Sequence, residues 1–118
     1  MQLPCRGVVS SFTVTKPELQ QWFFGKNPLT DYLAKVTVAH VEEQPRGISW
    51  SKPLWDVTAV AWLLNKDDRF MYSRLVPAPM PSYDGHYTEV PDHHLIRYVY
   101  DIERDALMND LIQKLTAE

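Results

Sequence analysis

The residue in this sequence that most needs a chemical explanation is Asp56. It stands at the head of a run, residues 54–64, that is otherwise almost wholly apolar. A lone carboxylate in apolar surroundings is costly unless a cation, a set of hydrogen bonds or water compensates it. Three roles compete. It is a helix-start acid favoured by the positive end of the helix dipole, half of an ion pair with Arg74 or Arg97, or an oxygen ligand of a hard cation. Calcium collects about six to eight oxygens, so the last role needs further ligands from elsewhere. Trp55 precedes it, and is either a core side chain or a flat face on which a ring ligand could stack. Adjacent helical residues point about 100° apart, so the two border one cavity only at the mouth of a helix.

Other reactive groups carry weaker signals. His86, His93 and His94 lie in or near a proline-rich stretch, and neighbouring histidines on an extended chain face opposite sides. Asp67-Asp68 and Glu42-Glu43 read as solvated surface. Ser10, Ser11 and Ser73 lack the context of a nucleophile elbow. There is no glycine-rich phosphate loop and no carboxylate pair arranged for glycoside hydrolysis.

These groups must be positioned by a short set of elements. Residues 7–14 read as a strand, with Val8, Val9, Phe12, Thr13 and Val14 carrying the propensity. Thr15, Pro17 and Glu18 open a short helix that Gly25 stops after Phe24. Asn27 caps a second helix and Pro28 takes its first position. Leu29, Tyr32, Leu33 and Val36 recur at helical spacing and extend it to about Glu42. Gln44-Pro45-Arg46-Gly47 breaks the chain. Ser51-Lys52-Pro53 is expected to start a third helix through Leu64, whose all-round apolar surface predicts burial on most sides. A strand over residues 70–76, a stiff loop rich in proline (77–91) with a turn at Tyr83-Asp84-Gly85, and a strand over residues 95–100 follow. Asp101 is expected to cap a last helix with Ile102, Ala106, Leu107, Leu111 and Leu115 on its apolar face. The alternation predicts an α/β class with few strands and about four helices. The helices carry more apolar surface than three short strands cover, the pattern of part of a larger sheet protein.

The chain has 118 residues, enough for one domain over 1–118. Its net charge of −3 offers no basic surface, so nucleic acid is not an expected partner. No run of about 18 apolar residues predicts a membrane span. The first six residues lack the order of a secretory signal, and a cytoplasmic location is the expectation. Cys5 is the single cysteine, which excludes an internal disulfide and a cysteine-based zinc cluster.

The segment Ser51-Lys52-Pro53-Leu54-Trp55-Asp56-Val57-Thr58-Ala59-Val60-Ala61-Trp62-Leu63 resembles the late helix of the inosine–uridine preferring nucleoside hydrolase family. The resemblance continues through Ser73-Arg74-Leu75-Val76-Pro77-Ala78-Pro79, Asp84-Gly85 and His94-Leu95-Ile96-Arg97-Tyr98-Val99-Tyr100. It ends in Arg104-Asp105-Ala106-Leu107-Met108-Asn109-Asp110-Leu111. Upstream, Pro4-Cys5-Arg6-Gly7-Val8-Val9-Ser10-Ser11, Glu18-Leu19 and Asp31-Tyr32-Leu33 also fit, so it covers nearly the whole chain as the C-terminal portion of that family.

The resemblance implies a nucleoside hydrolase-like α/β fold and calcium-dependent hydrolysis of the N-glycosidic bond of ribonucleosides. It implies that Asp56 matches the late aspartate completing the calcium shell. Trp55 matches the preceding position, which in some members stacks on the leaving base. The family's early Asp-x-Asp-x-x-x-Asp-Asp cluster and central ribose-binding segment have no counterpart in this sequence. The expectation is therefore a chain inactive alone, with a ribonucleoside as substrate only if a complementary N-terminal chain or an oligomer completes the site. The alternatives are a non-catalytic module that homo-oligomerises to cover its apolar face and a small-ligand binding domain using Trp55.

Overall fold

In a computed structural model of the chain, residues 1–4, 6–44 and 47–117 are described. Cys5, and Pro45 and Arg46 of the break foreseen after the second helix, lie outside them. The described residues form α1 (Lys16–Trp22), α2 (Pro28–Glu42), α3 (Trp55–Leu63) and α4 (Arg104–Thr116), with short strands between them. Strands β1 (Thr13–Thr15) and β2 (Ser51–Pro53) pair antiparallel, Val14 opposite Lys52. Strands β3 (Met71–Pro77) and β6 (Leu95–Ile102) form a long antiparallel ribbon with a bulge between Tyr72 and Ser73. At its far end β4 (Met80–Pro81) pairs with β5 (Tyr87–Thr88). The coarse class is thus mixed α/β, built on small antiparallel sheets.

Local chemistry explains most boundaries. Thr15 and Glu18 form a reciprocal capping box at α1. Gly25 follows the end of that helix with φ +78°, a left-handed conformation that glycine adopts without steric cost. Asn27 Oδ1 accepts from Thr30 N at 2.9 Å, while Asn27 Nδ2 donates to Leu115 O at 2.8 Å. One side chain thereby caps α2 and ties it to the end of α4. Asn65 acts likewise after α3. Its Oδ1 accepts from the backbone N–H of Phe70 and Met71, and its Nδ2 donates to Met71 O.

Four local expectations are corrected. Residues 7–11 are not strand: Val9 N donates back to Pro4 O, and Val9–Ser11 is a 3₁₀ turn. With no partner strand alongside, the apolar side chains there bury as a compact turn, and only Thr13–Thr15 pairs. Ser51–Pro53 is strand rather than helix start, because pairing with β1 satisfies its backbone; Leu54 N then donates to Phe12 O. Helix α3 begins at Trp55 with no side-chain cap. Asp101 does not cap α4, since β6 continues to Ile102 and Glu103 is the residue before the helix. Asp101 Oδ1 instead accepts from Ile102 N. The foreseen proline loop, in turn, contains the β4–β5 hairpin, with Gly85 at φ +84° in its turn.

The core gathers Phe12, Val14, Leu19, Phe23, Phe70, Met71, Val99, Ile102, Leu107 and Met108, with Ala34, Val41 and Ala61 from the two central helices. Around it the molecule is open. Its extents are 53 × 36 × 19 Å and its radius of gyration is 17.1 Å, against ~13.5 Å for a compact domain of this length. Its accessible surface is 8332 Å², against roughly 6,600 Å² for a folded monomer of this mass.

Candidate functional site

The first turn of α3 presents Trp55 and Asp56 side by side, and both are exposed. The arrangement follows from the local sequence. The β1–β2 pairing ends at Pro53, Leu54 turns the chain, and the helix starts with no polar side chain over its free amides. An acid in that first turn is favoured by the helix dipole. Thr58, fully buried one turn on, donates to Trp55 O at 2.6 Å and anchors the turn against the core. Lys52 Nζ lies 5.2 Å from the centroid of the Trp55 ring, a cation–π contact at the helix mouth.

Among the described residues no hydrogen bond or ion pair holds the Asp56 carboxylate. Neither arginine considered as a partner reaches it. Arg97 Nη1 donates to Ser73 Oγ at 3.2 Å, and the Arg74 guanidinium sits 5.9 Å from the Tyr100 ring centroid. No group of three or more His, Cys, Asp or Glu side chains among the described residues is gathered as a metal shell would require. Asp56 supplies one carboxylate where calcium takes about six to eight oxygens, so these residues alone do not fit a calcium site.

The expected burial of α3 on most sides is also corrected. Thr58 and Ala61 are buried, whereas Trp55 is 52% exposed, Val60 60% and Leu63 81%. The helix packs on the core through Thr58 and Ala61, with Val57 and Trp62 partly buried beside them, and its other face, with Trp55, Val60 and Leu63, is bare. Trp55 is therefore not a core side chain in this fold.

The histidines are used locally. His93 Nδ1 donates to Ala78 O at 2.9 Å and its ring stacks on His94. His86 faces Asp84 at 3.4 Å in the hairpin turn. The hydrogen bond from Ser82, together with those from His86, holds the Asp84 carboxyl below the usual carboxylate range.

A groove of about 1100 Å³, which no motif signalled, lies between the N-terminal segment, the ribbon and the proline hairpin. Gln2 pairs with β6 at its back, its N–H donating to Arg97 O and its carbonyl accepting from Val99 N, and the buried Gln2 Oε1 has no hydrogen-bond partner among the described residues. Arg6, Arg74, Tyr87, Glu89 and Tyr98 line it; Trp55 and Asp56 do not.

A second polar cluster, also unforeseen, serves the fold. Arg104 Nη2 binds Glu18 Oε2 at 2.6 Å and Thr13 O at 2.8 Å, locking α4 to α1 and β1. Partial burial works upward on the Glu18 carboxyl, but hydrogen bonds from Arg104 and Thr15 outweigh it and leave its pKa lowered. No helix among the described residues is long and apolar enough to cross a membrane. Set against known proteins, the chain matches no family model, and no curated protein or solved structure shows significant similarity to it.

Proposed function

We propose that this chain contributes one wall of a nucleoside N-ribohydrolase site, in a nucleoside hydrolase-like fold, and does not turn over nucleosides by itself. One observation carries the reading. An aspartate without a partner among the described residues and an exposed tryptophan stand together at the mouth of α3, on a helix that also leaves Val60 and Leu63 uncovered. The ordered resemblance of segments to the nucleoside hydrolases gives the pair its roles: Asp56 as one oxygen ligand of calcium, Trp55 as a stacking face for the base. A second polypeptide then brings the remaining ligands and the group that activates water. A non-catalytic module that self-associates is the alternative, favoured by the exposure of Leu29, Tyr32, Leu33 and Val36 on α2.

The test is nucleosidase activity on inosine and uridine with calcium. The chain is assayed alone and mixed with the aspartate-rich N-terminal portion of a nucleoside hydrolase. The expected outcome is no turnover alone and turnover in the mixture, lowered on the order of 100-fold by Asp56→Ala, as when groups supporting a metal are removed. Turnover by the chain alone, abolished in Asp56→Ala, would overturn the half-site reading. A silent mixture in which the two polypeptides associate would remove Asp56 from the chemistry.

A further inference from the structure

Helix α2 turns its apolar side outward. The sequence places Leu29, Tyr32, Leu33 and Val36 on one face, and the structure packs the opposite face inward: Thr30, Ala34 and Val41 are buried and Val38 lies against the core. Leu29 is 54% exposed and Tyr32 64%. Around the helix, Leu29, Leu33, Val36 and His40 fall within about 60° of one another, with Tyr32 and Glu43 on one flank. This is a continuous stripe along a helix of 15 residues.

We infer that this stripe is a self-association surface and that its occupant is α2 of a second copy, packed antiparallel about a two-fold axis. Three observations select a second copy. First, the surface left on the monomer exceeds that of a compact chain of its mass by an amount larger than the ~800 Å² that a standard interface removes from each partner. Second, the stripe is self-complementary. A two-fold axis level with the gap between Ala34 and Lys35 sets Leu33 against Val36 of the second copy and Leu29 against its His40. It thus forms an isologous apolar seam. Third, the same axis brings Lys26, exposed just before the helix, level with the exposed Glu43 of the second copy, so opposite charges stand at the same level at each end of the seam. A parallel arrangement sets Lys26 against Lys26 and Glu43 against Glu43.

A seam along this single helix removes on the order of 500 Å² per partner, at the low end for specific complexes, and the proposed dimer has a dissociation constant in the micromolar range. The apolar face of α3 stays free in this dimer. The inference gives the self-association reading a surface and a symmetry, and no nucleoside enters it.

Sedimentation equilibrium at about 100 µM chain, well above a micromolar constant, tests it. The full chain is expected at twice its 13.7 kDa mass. Leu33→Glu with Val36→Glu, both at exposed positions, is expected at the monomer mass with an unchanged circular dichroism spectrum. Val60→Glu on α3 is expected to remain dimeric. Lys26→Glu is expected to weaken association about 2–5-fold, and adding Glu43→Lys to restore it, an arm that decides the matter should the double glutamate variant misfold. A monomer at this concentration, a dimer that survives the double glutamate variant, or failure of the charge exchange to restore association would each overturn the inference.

Discussion

Glu18 shows how much a single side chain can hold here. Its carboxylate accepts from Arg104, from Thr15 N and from Thr15 Oγ1, and Arg104 in turn satisfies Thr13 O. Both side chains are more than two-thirds covered, so solvent screens the pair less than an ordinary surface salt bridge. Replacing Arg104 with Met is expected to cost about 1.5–3 kcal/mol, the range for hydrogen bonds to charged groups, measured by urea unfolding at neutral pH. The sign with pH follows from the lowered carboxyl. Its contribution is complete above the ordinary glutamate pKa of about 4.3 and is lost as pH falls through the lower folded value. Stability should therefore drop on acidification below about pH 4.3, and the drop should shrink in Glu18→Gln. An equal drop in both proteins would remove Glu18 from the acid response. Asp56 behaves differently because it has no such partners: it is placed by the start of a helix and held by nothing among the described residues.

The elements take their ends from short polar devices and their sides from packing. Asn27 is the clearest case, since it caps α2 and reaches Leu115 O on α4. Asn27→Ala should destabilise the fold by about 1–2 kcal/mol. Because one bond crosses to α4, fraying of residues 112–117 in hydrogen exchange should accompany the loss of the α2 cap. A loss confined to α2 would show that the crossing bond contributes nothing. Helix α3 is the opposite case. It starts without a side-chain cap and keeps only Thr58 and Ala61 buried, so its place depends on the β1–β2 pairing before it and the Asn65 clamp after it.

On the scale of the whole molecule the surplus of surface is the dominant fact. A core of about this size holds the base of the β3–β6 ribbon and one side of each helix, while Leu63, Tyr32, Leu75 and Leu95 remain in water. Such a chain gains stability from whatever covers it, in proportion to concentration over the dissociation constant. Its melting temperature should rise as chain concentration is raised ~100-fold, while the Leu33→Glu, Val36→Glu variant melts at one temperature throughout. A wild-type melting temperature independent of concentration would mean that no copy covers another in solution.

What the sequence determined by itself is the part governed by neighbours along the chain. The α1 capping box, the Asn27–Pro28 start and Glu42 end of α2, the Gly25 stop, the ribbon strands and the hairpin turn were all legible, because caps and turns are closed by side chains within a few residues. That Trp55 and Asp56 stand in the first turn of a helix was legible from the apolar run that follows them, although the helix starts at Trp55 without a side-chain cap rather than at Ser51–Pro53. Tertiary structure alone decided the rest. Whether Ser51–Pro53 became strand or helix depended on Thr13–Thr15, far away in sequence. Which face of α2 met the core also lay beyond periodicity, since the pattern marks an apolar stripe without saying what covers it. The chain buried Thr30, Ala34 and Val41 and left Leu29, Tyr32 and Val36 bare, because the core meets only one side of the helix.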